Sequence, residues 1–222
     1  MPGEPVISVR GESMLEVDPE IAVLFVTIMA RDKDRRRALE LLTERNRQAA
    51  ALIKGYGDAV EKLESEPVSV HPVFKDDKAR ERVTGYVARA GFHVTVSDFA
   101  VLSELVPRLA NEEMVAVAGP AWRLRLDSGV YREARLAAAR DATQRAREYA
   151  EAFGGRVTGL VEAADTGLLG TNRDQPRAFM ARAVAAGRED AGPPEFDFEP
   201  AKQTVQAEVE ARFTMTAPQF NA

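Results

Sequence analysis

The sequence predicts an α+β fold: a largely antiparallel sheet with helices packed on one face, in the approximate order β-β-α-β-β-α-β-α-β-β. Three observations carry this expectation. Near the end of the chain, Val205, Ala207, Val209, Ala211, Phe213 and Met215 alternate with Thr204, Gln206, Glu208, Glu210, Arg212 and Thr214, the two-residue period of a strand with one buried face. A second alternation places Tyr86, Ala88, Ala90, Phe92, Val94 and Val96 opposite Arg89, His93 and Thr95. Two other stretches carry apolar residues three and four apart, the spacing of a helix with one face against a core.

Taken in order, Val6 to Val17 reads as a strand that ends at Asp18-Pro19, where proline fixes its own φ and restrains the residue before it. Glu20 to Ala30 is almost wholly apolar and suits a central strand covered on both faces. Asp34 is placed to cap a helix whose inward residues are Ala38, Leu42, Ala49 and Ile53 and which stops at Gly55 and Gly57. Val60 to Phe74 reads as extended and forms a hairpin with the strand from Val83 through a turn at Asp76-Asp77-Lys78. Ser97 or Asp98 caps a second helix with Phe99, Leu102, Val106 and Leu109 inward, shortened or kinked by Pro107.

Met114 to Leu126 follows as a strand with Trp122, Leu124 and Leu126 on one side and Arg123 and Arg125 on the other. A long helix from about Val130 to Phe153 presents the seam Leu136, Ala139, Thr143, Ala146, Ala150 and Phe153, and ends at Gly154-Gly155. Arg156 to Ala164 is a short strand. Gly167 to Pro200, rich in Gly, Pro and charge, reads as an excursion or arm with a short helix near Pro176 to Ala186. No long internal repeat interrupts the series, so residues 5–217 are expected to form a single domain.

Composition narrows the function classes. The 222 residues are 45% hydrophobic and 29% charged, enough to bury a full core. A net charge of -5 argues against nucleic acid as partner, because phosphate neutralisation leaves a basic footprint. With no cysteine, disulfides, thiolate nucleophiles and zinc-cysteine sites are closed, and His71 and His93 are the only imidazoles. The longest apolar run, Ile21 to Ala30, is about half of the roughly 20 residues a membrane-spanning helix needs. Residues 1–13 show neither the apolar core nor the cleavage site of a secretory leader, so the chain is expected in the cytoplasm.

No candidate chemistry is complete. Ser13 in Gly11-Glu12-Ser13-Met14 lacks the second glycine of a nucleophile elbow. His71 and His93 approach each other if their strands pair, yet no third ligand has diagnostic spacing. Glu195, Asp197 and Glu199 would share one face of an extended segment, without the glycine turn of a calcium loop. Arg35-Arg36-Arg37 sits among Asp32, Asp34 and Glu40 and reads as a solvated helix start. Gly154-Gly155 and Gly167-x-x-Gly170 lack the lysine and spacing of phosphate loops. No catalytic residue, cofactor or metal is expected. Tyr86, Phe92 and Trp122 are candidates for a ligand pocket between sheet and helices, and Glu208, Glu210 and Arg212, on the polar face of the last strand, for an interface if that strand lies at a sheet edge.

The segments in sequence resemble the SIMPL-domain family, a bacterial group that includes periplasmic immunogenic proteins. The residues that carry the resemblance are Ile7-Ser8-Val9-Arg10-Gly11-Glu12 with Val17-Asp18-Pro19-Glu20-Ile21-Ala22, then Val83-Thr84-Gly85-Tyr86-Val87-Ala88, Glu133-Ala134-Arg135, and Thr204-Val205-Gln206-Ala207-Glu208-Val209. Phe198-Glu199-Pro200-Ala201-Lys202 departs from it in lacking a glycine in the turn before the last strand. The resemblance implies an α+β fold that assembles into ring-like or channel-like oligomers, no established catalytic residues, and roles in envelope integrity and stress tolerance. The expected function is thus a non-enzymatic, stress-related oligomerising or protein-interaction domain, forming a homo-oligomer or binding a further protein. The alternative is a small-molecule-binding domain.

Overall fold

The computed structural model describes residues 4–75, 82–169 and 198–219. Its strands and helices divide between two compact units: Asp18–Arg125 with Ala191–Gln203, and Met1–Val17, Leu126–Asp190 and Thr204–Ala222, each in its described part. The arm expected over 167–200 lies outside the described residues apart from its ends, and so does the short helix expected near Pro176 to Ala186.

The first unit is a five-stranded sheet with two helices on one face. It comprises β2 (Ile21–Asp32), α1 (Arg35–Lys54), β3 (Val60–Ser65), β4 (Ser69–Lys75), β5 (Arg82–Val96), α2 (Leu102–Ala110) and β6 (Val115–Arg123), with β1 (Val6–Val17) preceding it in the chain. The strand path is β3-β5-β2-β6, with β4 also paired to β5. The pairings of β2 with β5 and β6, and of β3 and β4 with β5, are antiparallel.

β2 is central, as its apolar run requires. Ala22, Leu24, Val26, Ile28 and Ala30 pack with Ala88, Phe92, Val94 and Val96 of β5 against Ala38, Leu42, Ala49 and Ile53 of α1 and Leu102, Leu105, Val106 and Leu109 of α2. Burying each large side chain here contributes about 1.5–3 kcal/mol. The opposite face of β2 is only partly covered, at Ile21, Phe25, Thr27 and Met29, rather than fully buried.

Local signals act where expected. The Asp34 carboxylate accepts the Arg37 amide at 2.9 Å, and Asp98 accepts the Ala100 amide at 3.0 Å at the turn leading into α2. The left-handed residue after α1 is Gly57, at φ 57°, whereas Gly55 keeps a helical φ.

The stretch expected as one strand over 60–74 is two. Pro67 removes a donor between β3 and β4, and the chain rejoins β5 beyond it, so the hairpin with β5 is formed by β4. The strand expected to reach Leu126 ends at Arg123, and Leu126 is 99% exposed.

The second unit pairs β1, β8 (Gln203–Met215) and β7 (Val157–Ala164) in the order β1-β8-β7, with α3 (Gly129–Ala152) packed on one face. The alternation read in the last strand holds: Val205, Ala211, Phe213 and Met215 are buried. Its position differs from the edge considered for it, because β8 has a partner on both sides.

The helix seam also differs. The buried residues of α3 are Ala134, Ala138, Ala142, Ala146 and Ala150, while Leu136 and Phe153 are exposed. The reason is steric. A Cβ on Gly11 of β1 would lie 2.5 Å from the Ala142 amide nitrogen and 2.7 Å from its Cβ, so this strand tolerates only methyl groups on the facing helix. α3 terminates at Gly154, φ 72°, as its glycine pair predicts.

Candidate functional site

The residues singled out in the sequence are held in separate, mostly satisfied settings. Ser13 Oγ donates to the Ala134 carbonyl at 2.8 Å, which ties β1 to α3. His71 faces Val87 across β4 and β5, whereas His93 lies six positions further along β5, about 20 Å away at ~3.3 Å per residue. His93 Nε2 instead meets Glu66 Oε1 at 2.8 Å, and its ring stands edge-on to Phe25.

Arg36 pairs with Glu40, and Arg37 lies 3.7 Å from Asp32. Of the acidic triplet, Glu195 and Asp197 lie outside the described residues. Among those described, no group of three His, Asp or Glu side chains is arranged to hold a metal ion, and no helix is long and apolar enough to cross a membrane.

Phe92 is buried in the core of the first unit, and Tyr86 and Trp122 pack against that core, Trp122 edge-on to Phe99 at 4.9 Å between centroids. On the polar face of β8, Glu208 accepts from Thr166 Oγ1, Glu210 pairs with Arg10 at 3.1 Å, and Arg212 reaches Glu162 and the Leu169 carbonyl. The Glu210 carboxyl is held below the usual carboxylate range, chiefly by the Gly167 amide, with Arg10 adding to it.

A concave feature of the second unit involves none of these. An open groove of about 700 Å³ runs between the C-terminal half of α3 and β7, lined on the helix by Thr143, Arg147 and Glu151 and on the sheet by Val157, Leu160 and Phe213. Its floor follows from strand register: Leu160 pairs with Phe213 across β7 and β8, so both side chains stand on the helix side of the sheet. Phe213 is buried with the alanines of α3, while Leu160, on the outer strand, is 60% exposed.

A shallower depression lined by Leu136, Ala139, Arg140, Thr143 and Arg147 continues the groove along the helix. Arg140, Arg147 and Arg156 form no ion pair with a described residue. The sequence reading missed this site because it placed Leu136, Ala139 and Thr143 in the core. The available signal was Arg140 and Arg147, which fall on the same helical face as those three.

Two antiparallel sheets, each with its helices on one face and no assembled reactive cluster among the described residues, define an α+β protein of the class expected from the sequence. The chain belongs to the SIMPL family, proteins of unknown function (DUF541), whose family model matches residues 7–213. It is similar to the 26 kDa periplasmic immunogenic protein of Brucella melitensis biotype 1 (strain 16M), 26% identical over 200 residues that cover 82% of this chain and 78% of the relative. The protein of the same name from Brucella abortus (strain S19) matches to the same extent.

These relatives overturn the cytoplasmic expectation, since both are named periplasmic proteins. That expectation rested on the composition of residues 1–13 alone, which carries no location.

Proposed function

We propose that the chain is a self-associating protein-interaction domain of the bacterial periplasm, with residues 5–217 acting together and a role in envelope stress tolerance. The observation that carries the self-association is the β4–β5 hairpin. Val68 just before β4, Val73 and Phe74 on β4 and Val83 on β5 are all substantially exposed, and β4 has β5 as its one strand partner among the described residues. Phe74 and Val83 are cross-strand partners, so their side chains share a face. An open strand edge beside clustered apolar side chains is a surface that a second chain covers favourably. The periplasmic reading is supported by the names of the relatives.

Native mass spectrometry tests this reading directly. The wild-type protein is expected as a defined oligomer at micromolar concentration, the Phe74→Ser/Val83→Ser double variant as a smaller species, and deletion of residues 167–200 as a weakened assembly. A strictly monomeric wild type overturns the proposal.

A further inference from the structure

We propose that the groove between α3 and β7 is a docking site for an acidic, apolar-containing peptide segment of a partner protein. The site is built from other elements than the hairpin surface assigned to self-association. Its floor is apolar: Val157, Leu160 and Phe213 come from the sheet, and Leu136 and Ala139 continue the strip along α3. Leu160 remains 60% exposed although its cross-strand partner Phe213 is buried, because α3 stops short of covering the outer strand.

The rim is cationic. Arg140 and Arg147 lie seven residues apart, two turns along one helical face, and Arg156 stands at the head of β7. None of the three is neutralised by a described residue, and Glu151 is the one carboxylate among the described residues that line the groove. Arginines with no ion-pair partner among the described residues, gathered around an apolar floor in a chain of net charge -5, are a local departure from the charge of the whole.

Charge and floor together select the occupant. A bare polyanion satisfies the arginines and leaves Leu160 in water, whereas an apolar segment covers Leu160 and leaves the arginines unpaired. A peptide with carboxylates next to large apolar side chains satisfies both. Two register irregularities in β7, between Val157 and Gly159 and between Leu160 and Glu162, interrupt its ladder with β8. Recognition is therefore assigned to side chains rather than to an added strand.

The test is panning of a randomised phage-displayed peptide library on the full-length protein, beside the Arg147→Glu/Arg156→Glu and Leu160→Gln variants, each first shown to be folded by circular dichroism. The wild type is expected to enrich sequences with Asp or Glu adjacent to Leu, Ile or Phe. Binding of a synthesised winner should weaken about tenfold or more in the charge-reversed variant, should weaken in Leu160→Gln, and should fall with added salt.

No enrichment over the charge-reversed variant overturns the proposal. Equal binding of a single-stranded oligonucleotide overturns it in favour of a general polyanion site. Dissociation of the native oligomer by Arg147→Glu/Arg156→Glu overturns it in favour of a second copy of this chain. A monomeric wild type that still selects such peptides would refute the self-association reading and leave this one standing.

Discussion

The two units bury their helices by different means. In the first, α1 and α2 bring Leu42, Ile53, Leu102, Leu105 and Leu109 down onto Leu24, Val26 and Ile28, so the layers are spaced by large aliphatic side chains. In the second, α3 presents five alanines, and β1 answers with Gly11, so backbone nearly meets backbone. The first arrangement removes much apolar area from water per residue. The second gains from close dispersion contact, and because α3 is drawn tightly toward β1, the β7 side of the sheet stays open. A core of small residues thus leaves a groove open beside it, whereas a core of large ones closes over itself.

The largest expected effect tests the aliphatic core. Ile28→Ala leaves a cavity in a site with no exposed surface and should cost about 2–5 kcal/mol, measured by urea unfolding. Next comes the close approach: Gly11→Ala must push α3 from β1 and should cost about 1–3 kcal/mol, with Gly11→Val worse, whereas a neutral Gly11→Ala would disprove the tight contact. Removal of the α1 cap by Asp34→Ala should cost about 1 kcal/mol, read as a lower melting temperature.

The smallest effect concerns charge in the second unit. The folded-state pKa of Glu210 is depressed, so its contribution is present above the unfolded carboxylate value and is lost as pH falls through the folded one. Glu210→Gln should therefore lower stability at neutral pH and flatten the acid limb of a stability-versus-pH curve. A variant with an unchanged acid limb would remove Glu210 from the account.

Much of the architecture was legible because it rests on local rules. The alternation in β5 and β8 and the helical spacing of Ala38, Leu42, Ala49 and Ile53 each reflect a single element facing a single core. The cap at Asp34 and the stop at Gly154 need only their own backbone. The reading failed where the answer depended on a partner. Leu136 and Phe153 outweigh alanine in any hydrophobic pattern, yet the glycine on β1, more than a hundred residues away in the chain, decides which face of α3 is admitted to the core. The groove was missed for the same reason, since its floor joins α3 to two strands that follow it.

The sequence by itself determined the fold class, the family and nearly every element, because periodicity, caps and turn residues act over a few positions. Only the tertiary structure decided that β8 is central rather than at an edge, that His71 and His93 stand apart, and that the Leu136 face of α3 stays open beside Leu160. Register and strand order are set by which long-range pairing buries the most surface without steric overlap, and that is a property of surfaces brought together rather than of any one segment.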